Sequence, residues 1–368
     1  MRAVLSGGGT AGHINPALAL AEELQRRGDE VLFAGTPTGV ESRLVPEAGI
    51  PFTAFEAAGF NRNHPLSLVR ALRLMAKGTK AARRWFAEVQ PDVVVGFGGY
   101  VSLAVGRAAR KMGIPVVIHE QNSVMGLTNR DLARHAQAVC LTYGHAASAV
   151  ADKGKVAVTG NPVRTAVFEA TREEGRRLFN IPEDATMLLV TGGSLGARHL
   201  NQALCAMKDE LLAREDLYIV HVTGPKELDA VTEALALQPE EARRWQLLGY
   251  TDAMGSAMAA CDAIVSRAGA SSLAEISARA IPALLVPFPF ATEDHQTTNA
   301  QAAVEAGCAF MVADDAVEGD GFRELVGRLV DEPELRASMA GAAAAQQTAD
   351  AAALLADIVE AAAGKIAR

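Results

Sequence analysis

Twice in this chain a short apolar run passes into a glycine-rich turn and then a helical segment: Met1-Arg-Ala-Val-Leu-Ser-Gly-Gly-Gly-Thr-Ala-Gly-His13 and Met187-Leu-Leu-Val-Thr-Gly-Gly-Ser-Leu-Gly-Ala197. A turn of this kind leaves no side chain where a phosphate must come close. The helix behind it offers backbone N–H groups and the positive end of its dipole. The chemistry implied is the holding of a diphosphate, by two nucleotide-type domains facing one cleft.

Other readings of the two turns are weaker. Gly7, Gly9 and Gly12 satisfy G-x-G-x-x-G, but a dinucleotide fold needs an acidic residue at the end of its second strand, roughly 20 residues on. Here the strand Glu30-Val-Leu-Phe-Ala34 ends in Gly35-Thr36. Neither turn is followed by Gly-Lys-Ser/Thr, which argues against a Walker-type kinase or ATPase. Gly192 to Gly196 also reads as G-x-S-x-G, the elbow of a serine hydrolase. Asp262 and His295 follow in the order such an enzyme would use, so a hydrolase stays open, although it would need only one such turn.

Single residues add to the diphosphate reading. The segment Arg267 to Glu275 follows the strand Asp262-Ala-Ile-Val-Ser266 and enters a helix, so Ala270, Ser271 and Ser272 can present N–H groups to phosphate. Glu275, about one turn in, can accept two hydrogen bonds from a ribose diol, and it can equally be a solvated helix residue. His13 closes the first turn, and an imidazole there suits removal of a proton from a sugar hydroxyl; a capping or packing role is the alternative. His119 and Glu120 follow the strand Pro115-Val-Val-Ile118, at the sheet edge where ligands bind. They do not open a zinc helix, because Ser123 stands where H-E-x-x-H needs its second histidine.

The remaining composition bounds the class. At 368 residues and 49% apolar content the chain suits two packed cores. A net charge of −8 argues against nucleic acid as a partner. Cys140, Cys205, Cys261 and Cys308 lie far apart without metal-type spacing and read as reduced core thiols. The N-terminus reads as a core strand, not a signal peptide, and no run reaches the ~18 apolar residues of a spanning helix, so membrane contact is expected to be peripheral.

Strands alternate with helices, which predicts an α/β fold of two doubly wound parallel sheets. First-half strands are expected near 2–6, 30–34, 92–96, 115–118, 138–141 and 156–158. Second-half strands are expected near 186–191, 217–223, 246–249, 262–265, 283–286 and 309–312. Asn15 and Pro16 read as a helix cap and first helical position, and Gly28 as the helix end. Gly160 and Pro162 mark a hinge in Thr159-Gly-Asn-Pro-Val-Arg164. The expected domains are 1–163, 164–340 and a C-terminal helix in 341–368 that packs back on the first.

Taken in order, Gly7-Gly-Gly-Thr-Ala-Gly-His13 with Asn15-Pro16, Gly98-Gly-Tyr-Val101, His119-Glu-Gln-Asn122, Gly160-Asn-Pro-Val-Arg164, Gly192-Gly-Ser-Leu-Gly-Ala197, and Ser266-Arg-Ala-Gly-Ala270 with Glu275 and Gln296 resemble the MurG family of GT-B glycosyltransferases. The match runs over essentially the whole chain. It implies two Rossmann-like domains and transfer of N-acetylglucosamine from UDP-N-acetylglucosamine to lipid I, without a cofactor or catalytic metal. It also implies a place at the cytoplasmic face of the cell membrane.

The resemblance further implies roles for residues. On the donor side stand Thr10, Ala11 and Gly12 of the first turn, with Asn122 and Arg164. In the second half Ser194 would meet the diphosphate, Thr251 the base, Glu275 the ribose, and Gln296 and Asn299 the sugar hydroxyls. Arg267 and the helix start Ala270, Ser271, Ser272, Leu273 and Ala274 complete that side. His13 is the candidate base, with Glu120 and Tyr100 as catalytic partners and His119 and Asn129 as acceptor contacts. His295 stands where the family often has Gln, and Phe288 to Thr292 is not matched residue for residue. The implied reaction is a single displacement with inversion, in which the acceptor's C4 hydroxyl attacks the anomeric carbon.

Residues 66–86 carry Arg70, Arg73, Lys77, Lys80, Arg83 and Arg84 and no acid. On a helix, Leu68, Leu72, Met75, Thr79, Ala82 and Phe86 share one face and most basic residues the other, which fits either a core-packed helix or one that meets an anionic membrane surface. Competing functions are another GT-B enzyme, such as a diacylglycerol or antibiotic glycosyltransferase, and a nucleotide-sugar epimerase.

Overall fold

Parallel strands buried on both faces read as apolar runs whose alternate residues serve different cores. In the computed structural model, which describes residues 1–59, 65–193, 196–345 and 350–364, that is how both sheets are built. The chain divides into two units, Met1–Arg164 with Thr348–Arg368, and Thr165–Gln347.

The first unit holds β1 (Arg2–Ser6), β2 (Glu30–Gly35), β3 (Phe52–Ala54), β4 (Val93–Gly96), β5 (Val116–Glu120), β6 (Ala138–Leu141) and β7 (Val156–Val158). They form one sheet in the order β3-β2-β1-β4-β5-β6-β7, parallel throughout. Ala3, Leu5, Val93 and Val95 face one core, shared with α1 (Ala11–Arg26) and the C-terminal helix Ala351–Ala362. Val4, Val94 and Ile118 face the other, under α3 (Pro65–Val89), α4 (Gly99–Lys111) and α5 (Leu127–Ala133). The short helix α2 (Glu41–Glu47) lies between β2 and β3.

The C-terminal helix is seated by Leu355, Ala356 and Val359, all fully buried. Arg27 anchors it with ion pairs to Asp357 at 2.6 Å and Glu360 at 2.8 Å. The expected break at 340/341 falls inside the helix Pro333–Ala345, which buries Met339 and Ala343 in the second unit.

In the second unit β8 (Thr186–Thr191), β9 (Leu217–Val222), β10 (Trp245–Leu248), β11 (Ala263–Ser266), β12 (Ala283–Leu285) and β13 (Ala309–Met311) are ordered β10-β9-β8-β11-β12-β13, again parallel. Leu188 and Val190 face one core, Met187 and Leu189 the other.

Three local expectations are corrected. The helix α1 starts at Ala11 with Thr10 in the capping position, so Asn15 is not its cap and Pro16 lies inside it. The helix therefore begins directly at the glycine turn, and His13 falls in its first turn. The edge strand β3 was not anticipated; three residues after Pro51 carry no readable period. On α3 the buried face runs through Ala71, Thr79, Ala82 and Phe86, while Leu72 is 58% exposed. The side chain of Leu68 lies outside the described residues.

Candidate active site

Each sheet reverses its strand order once, between β1 and β4 in the first unit and between β8 and β11 in the second. Open parallel sheets take ligands beyond the C-terminal strand ends at that point. Both glycine turns leave the sheets there.

In the first unit Ser6 of β1 pairs with Gly96 of β4, which sets the turn after β1 beside Gly98 and Gly99. Gly99 has φ +80°, and a Cβ on it would stand 2.5 Å from the Gly8 carbonyl oxygen. A Cβ on Gly98, at φ +107°, would stand 2.9 Å from His13 Nε2. Only glycine allows this approach. His13 Nδ1 lies 2.9 Å from the Gly8 carbonyl and 3.4 Å from Thr10 Oγ1. A carbonyl only accepts, so Nδ1 carries the hydrogen and Nε2 is the basic nitrogen. The ring is half-buried, as are Ala11 and Gly12, while Thr10 is exposed.

Other first-unit candidates divide into exposed and interior groups. Tyr100 is 44% exposed, its ring over Gly59. Glu120 is buried at the end of β5 and organises the next loop: Oε1 accepts from Asn122 N at 3.1 Å and Asn122 Nδ2 at 3.2 Å, while Oε2 accepts from Gly126 N at 3.0 Å and Asn129 Nδ2 at 2.8 Å. Asn129 is itself buried and also donates to the His119 carbonyl. Expected as an acceptor contact, His119 is instead fully buried with both ring nitrogens occupied. Burial holds its pKa down, to about 4, so the ring is neutral. Arg164 pairs with Glu22 of α1 at 2.9 Å.

In the second unit Thr191 of β8 pairs with Ser266 of β11. Gly193 N donates to Thr191 Oγ1 at 3.2 Å, and Gly196 N to the Gly193 carbonyl at 3.0 Å, closing the second glycine turn. Ser194 lies outside the described residues. The helix Ala270–Ala278 starts beyond β11 with its N-terminal end toward the same rim. Ala270 and Leu273 are buried in it, whereas Ser271, Ser272, Ala274 and Glu275 are half-buried. Gln296 Oε1 accepts from Phe288 N at 2.9 Å, which ties the 288–295 segment to the helix His295–Glu305. Thr251 Oγ1 accepts from Ala253 N at 3.0 Å, and Asn299 is fully buried.

Arg267 is 8% exposed and turned inward: Nη1 donates to the Val286 and Pro287 carbonyls, both at 3.1 Å, and lies 2.6 Å from Asp314. It braces the loop after β12. Asp314 also meets His199 Nδ1 at 2.8 Å. Nothing in the spacing of Arg267 and Asp314 announces that pairing. Glu41, at the start of α2, accepts from Thr36 N at 3.0 Å and Gly9 N at 3.4 Å, so the acid that meets the end of β2 comes from the next helix and not from the strand.

Residues 3–141 match the glycosyltransferase family 28 N-terminal domain, and residues 187–355 the glycosyltransferase family 28 C-terminal domain. The chain belongs to the family 28 glycosyltransferases. A relative from Leuconostoc mesenteroides, named UDP-N-acetylglucosamine--N-acetylmuramyl-(pentapeptide) pyrophosphoryl-undecaprenol N-acetylglucosamine transferase, is 43% identical over 87% of each chain. Acinetobacter baumannii MurG is similar in structure, with a TM-score of 0.74 and 31% identity over 98% of this chain and 99% of that one. Within family 28 the chain is therefore of the MurG type. The fold alone is shared more widely: a putative UDP-N-acetylglucosamine 2-epimerase from Listeria monocytogenes superposes with a TM-score of 0.72 at 15% identity, covering 100% of this chain and 98% of that one.

Proposed function

We propose that the chain transfers N-acetylglucosamine from UDP-N-acetylglucosamine to the C4 hydroxyl of the N-acetylmuramyl group of lipid I, with inversion, to form lipid II. The observation that carries the reading beyond its family is the hydrogen bond from His13 Nδ1 to the Gly8 carbonyl. It leaves Nε2 as the base at a sheet's switch point. Nε2 takes the acceptor hydroxyl's proton as that oxygen bonds to the anomeric carbon. The bond from that carbon to the diphosphate oxygen breaks, and UDP leaves with the electron pair. The positive end of the helix Ala270–Ala278 and the second glycine turn offset the charge on the departing diphosphate.

On the donor side Glu275 accepts from the ribose diol, the Thr251 backbone meets the base, and Gln296 reads the sugar; Ser194 is assigned to the diphosphate by resemblance. By resemblance the turn Thr10–Gly12, Asn122 and Arg164 also stand on the donor side, and the acceptor falls to the first unit beside Tyr100. Glu120, Asn129 and His119 act by shaping that rim, and Arg267 by bracing the donor loop.

The protein is proposed to act as a peripheral protein at the cytoplasmic face of the membrane. Among the described residues no helix is long and apolar enough to cross a bilayer. Support for surface contact comes from α3, where Val69 and Leu72 are 46% and 58% exposed beside the exposed Arg70 and Arg73. Apolar side chains among cations suit the boundary of an anionic leaflet. Incubation with UDP-N-acetylglucosamine, with and without a short-chain lipid I analogue, tests the reading: disaccharide product and UDP should appear together only with the acceptor.

A further inference from the structure

Glu41, the first residue of α2, is a fully buried carboxylate. Among the described residues it forms no ion pair, although burial of a charge without a cation is costly. Its partners are all donors from two loops. Oε1 accepts from Thr36 N at 3.0 Å and Thr36 Oγ1 at 2.6 Å, and Oε2 accepts from Gly9 N at 3.4 Å. It is packed so closely under the first glycine turn that a Cβ on Gly8 would stand 2.7 Å from Oε1.

Gly8 is thus held between Glu41 on one side and Gly99 and His13 on the other. The peptide that joins Gly8 to Gly9 belongs to both hydrogen bonds: its N–H is given to Glu41, and its carbonyl oxygen accepts from His13 Nδ1. A peptide is a rigid plane, so fixing the N–H end fixes the direction of the carbonyl. That carbonyl in turn sets the tautomer and tilt of the imidazole.

We propose that Glu41 is a positioning residue that orients the His13 ring through the Gly8–Gly9 peptide. The inference rests on the reading of His13 as the base. Glu41→Gln keeps the shape of the side chain but leaves an amide that cannot accept at both the Thr36 and the Gly9 contacts. It should lower kcat roughly 10- to 100-fold, the scale for a misplaced reacting group, with UDP affinity unchanged. With carbon-13-labelled histidine, the His13 ring resonance, assigned by its loss in His13→Ala, should move and change its titration midpoint in Glu41→Gln.

In the His13→Ala background the same substitution should change kcat less than about twofold, because residues acting as one unit are not additive. An equal loss in both backgrounds, or an unmoved His13 resonance in folded Glu41→Gln, overturns the proposal. Full activity of His13→Ala would refute the base instead, and the resonance would still decide whether Glu41 orients the ring. If Glu41→Gln is recovered unfolded, Thr36→Val removes the hydroxyl that holds Oε1 and should shift the same resonance; no shift there overturns the proposal.

Discussion

His119 Nε2 donates to the carbonyl of Gly160 across 2.9 Å, joining the end of β5 to the segment that leaves β7. Because Gln121 Nε2 donates to His119 Nδ1 at 3.1 Å, a second proton on the ring would face a donor. This histidine fixes the loop from which Asn122 projects, and its structural task requires that it remain neutral.

Acid should therefore loosen both units. Burial lowers the pKa of His119 to about 4 and that of His221, in β9, to about 3. The unfolded chain takes up these protons near pH ~6.5, well before the folded chain does. Stability is then fully present above that pH and falls as pH drops from there toward 4, by on the order of 3 kcal/mol for His119 alone. Urea unfolding at pH 7.5 and 5 should show the loss, and the His119 and His221 resonances should not titrate in that range. Titration of either ring near its ordinary pKa in the folded protein would contradict the buried geometry.

Glu275→Ala should weaken UDP binding by about 1.5–3 kcal/mol, the range for a hydrogen bond to a charged group. Glu275 is half-buried on the helix Ala270–Ala278, so folding should be little changed. Calorimetry that finds the same UDP affinity in a folded variant would return Glu275 to an ordinary helix surface.

For His13 the effect belongs to rate. His13→Ala should lower kcat by roughly 10²–10⁴ while UDP affinity is retained, since a base acts in the transition state. Near wild-type kcat at saturating substrates would exclude it as the base.

Much of the fold was legible because parallel strands are short apolar runs bounded by glycine turns, and these recur in both halves. The three-residue β3 has too few positions to show a period. Near the candidate site the two glycine turns are legible, because glycines that follow an apolar run mark a turn at a strand end. The site was misread where a polar residue at a strand end turns inward. His119 and Arg267 sit at such ends, and local sequence does not reveal Gly160 or Asp314 as their partners. Leu72 shows the same limit on a helix: spacing defines a stripe, but the neighbouring elements decide which edge of it is covered.

On α3, reversal of Arg73, Lys77 and Lys80 to Glu should abolish sedimentation with phosphatidylglycerol vesicles, and wild-type binding should fall steeply with salt, exposed charges being screened over about 10 Å at 0.1 M. Lys77 pairs with Glu56 at 2.6 Å, but both are exposed, so this contact should hold little of the effect. Activity on a water-soluble acceptor analogue should persist. Unchanged vesicle binding by the triple variant would move the membrane surface elsewhere on the first unit.

The fold is shared with a protein named as a putative UDP-N-acetylglucosamine 2-epimerase, so the deciding measurement is the dependence of UDP release on the acceptor. With UDP-N-acetylglucosamine and a short-chain lipid I analogue, UDP should appear in step with the disaccharide product, and without the analogue only slow hydrolysis should remain. Rapid UDP release without acceptor, accompanied by epimerised sugar, would contradict glycosyl transfer as the activity of this chain.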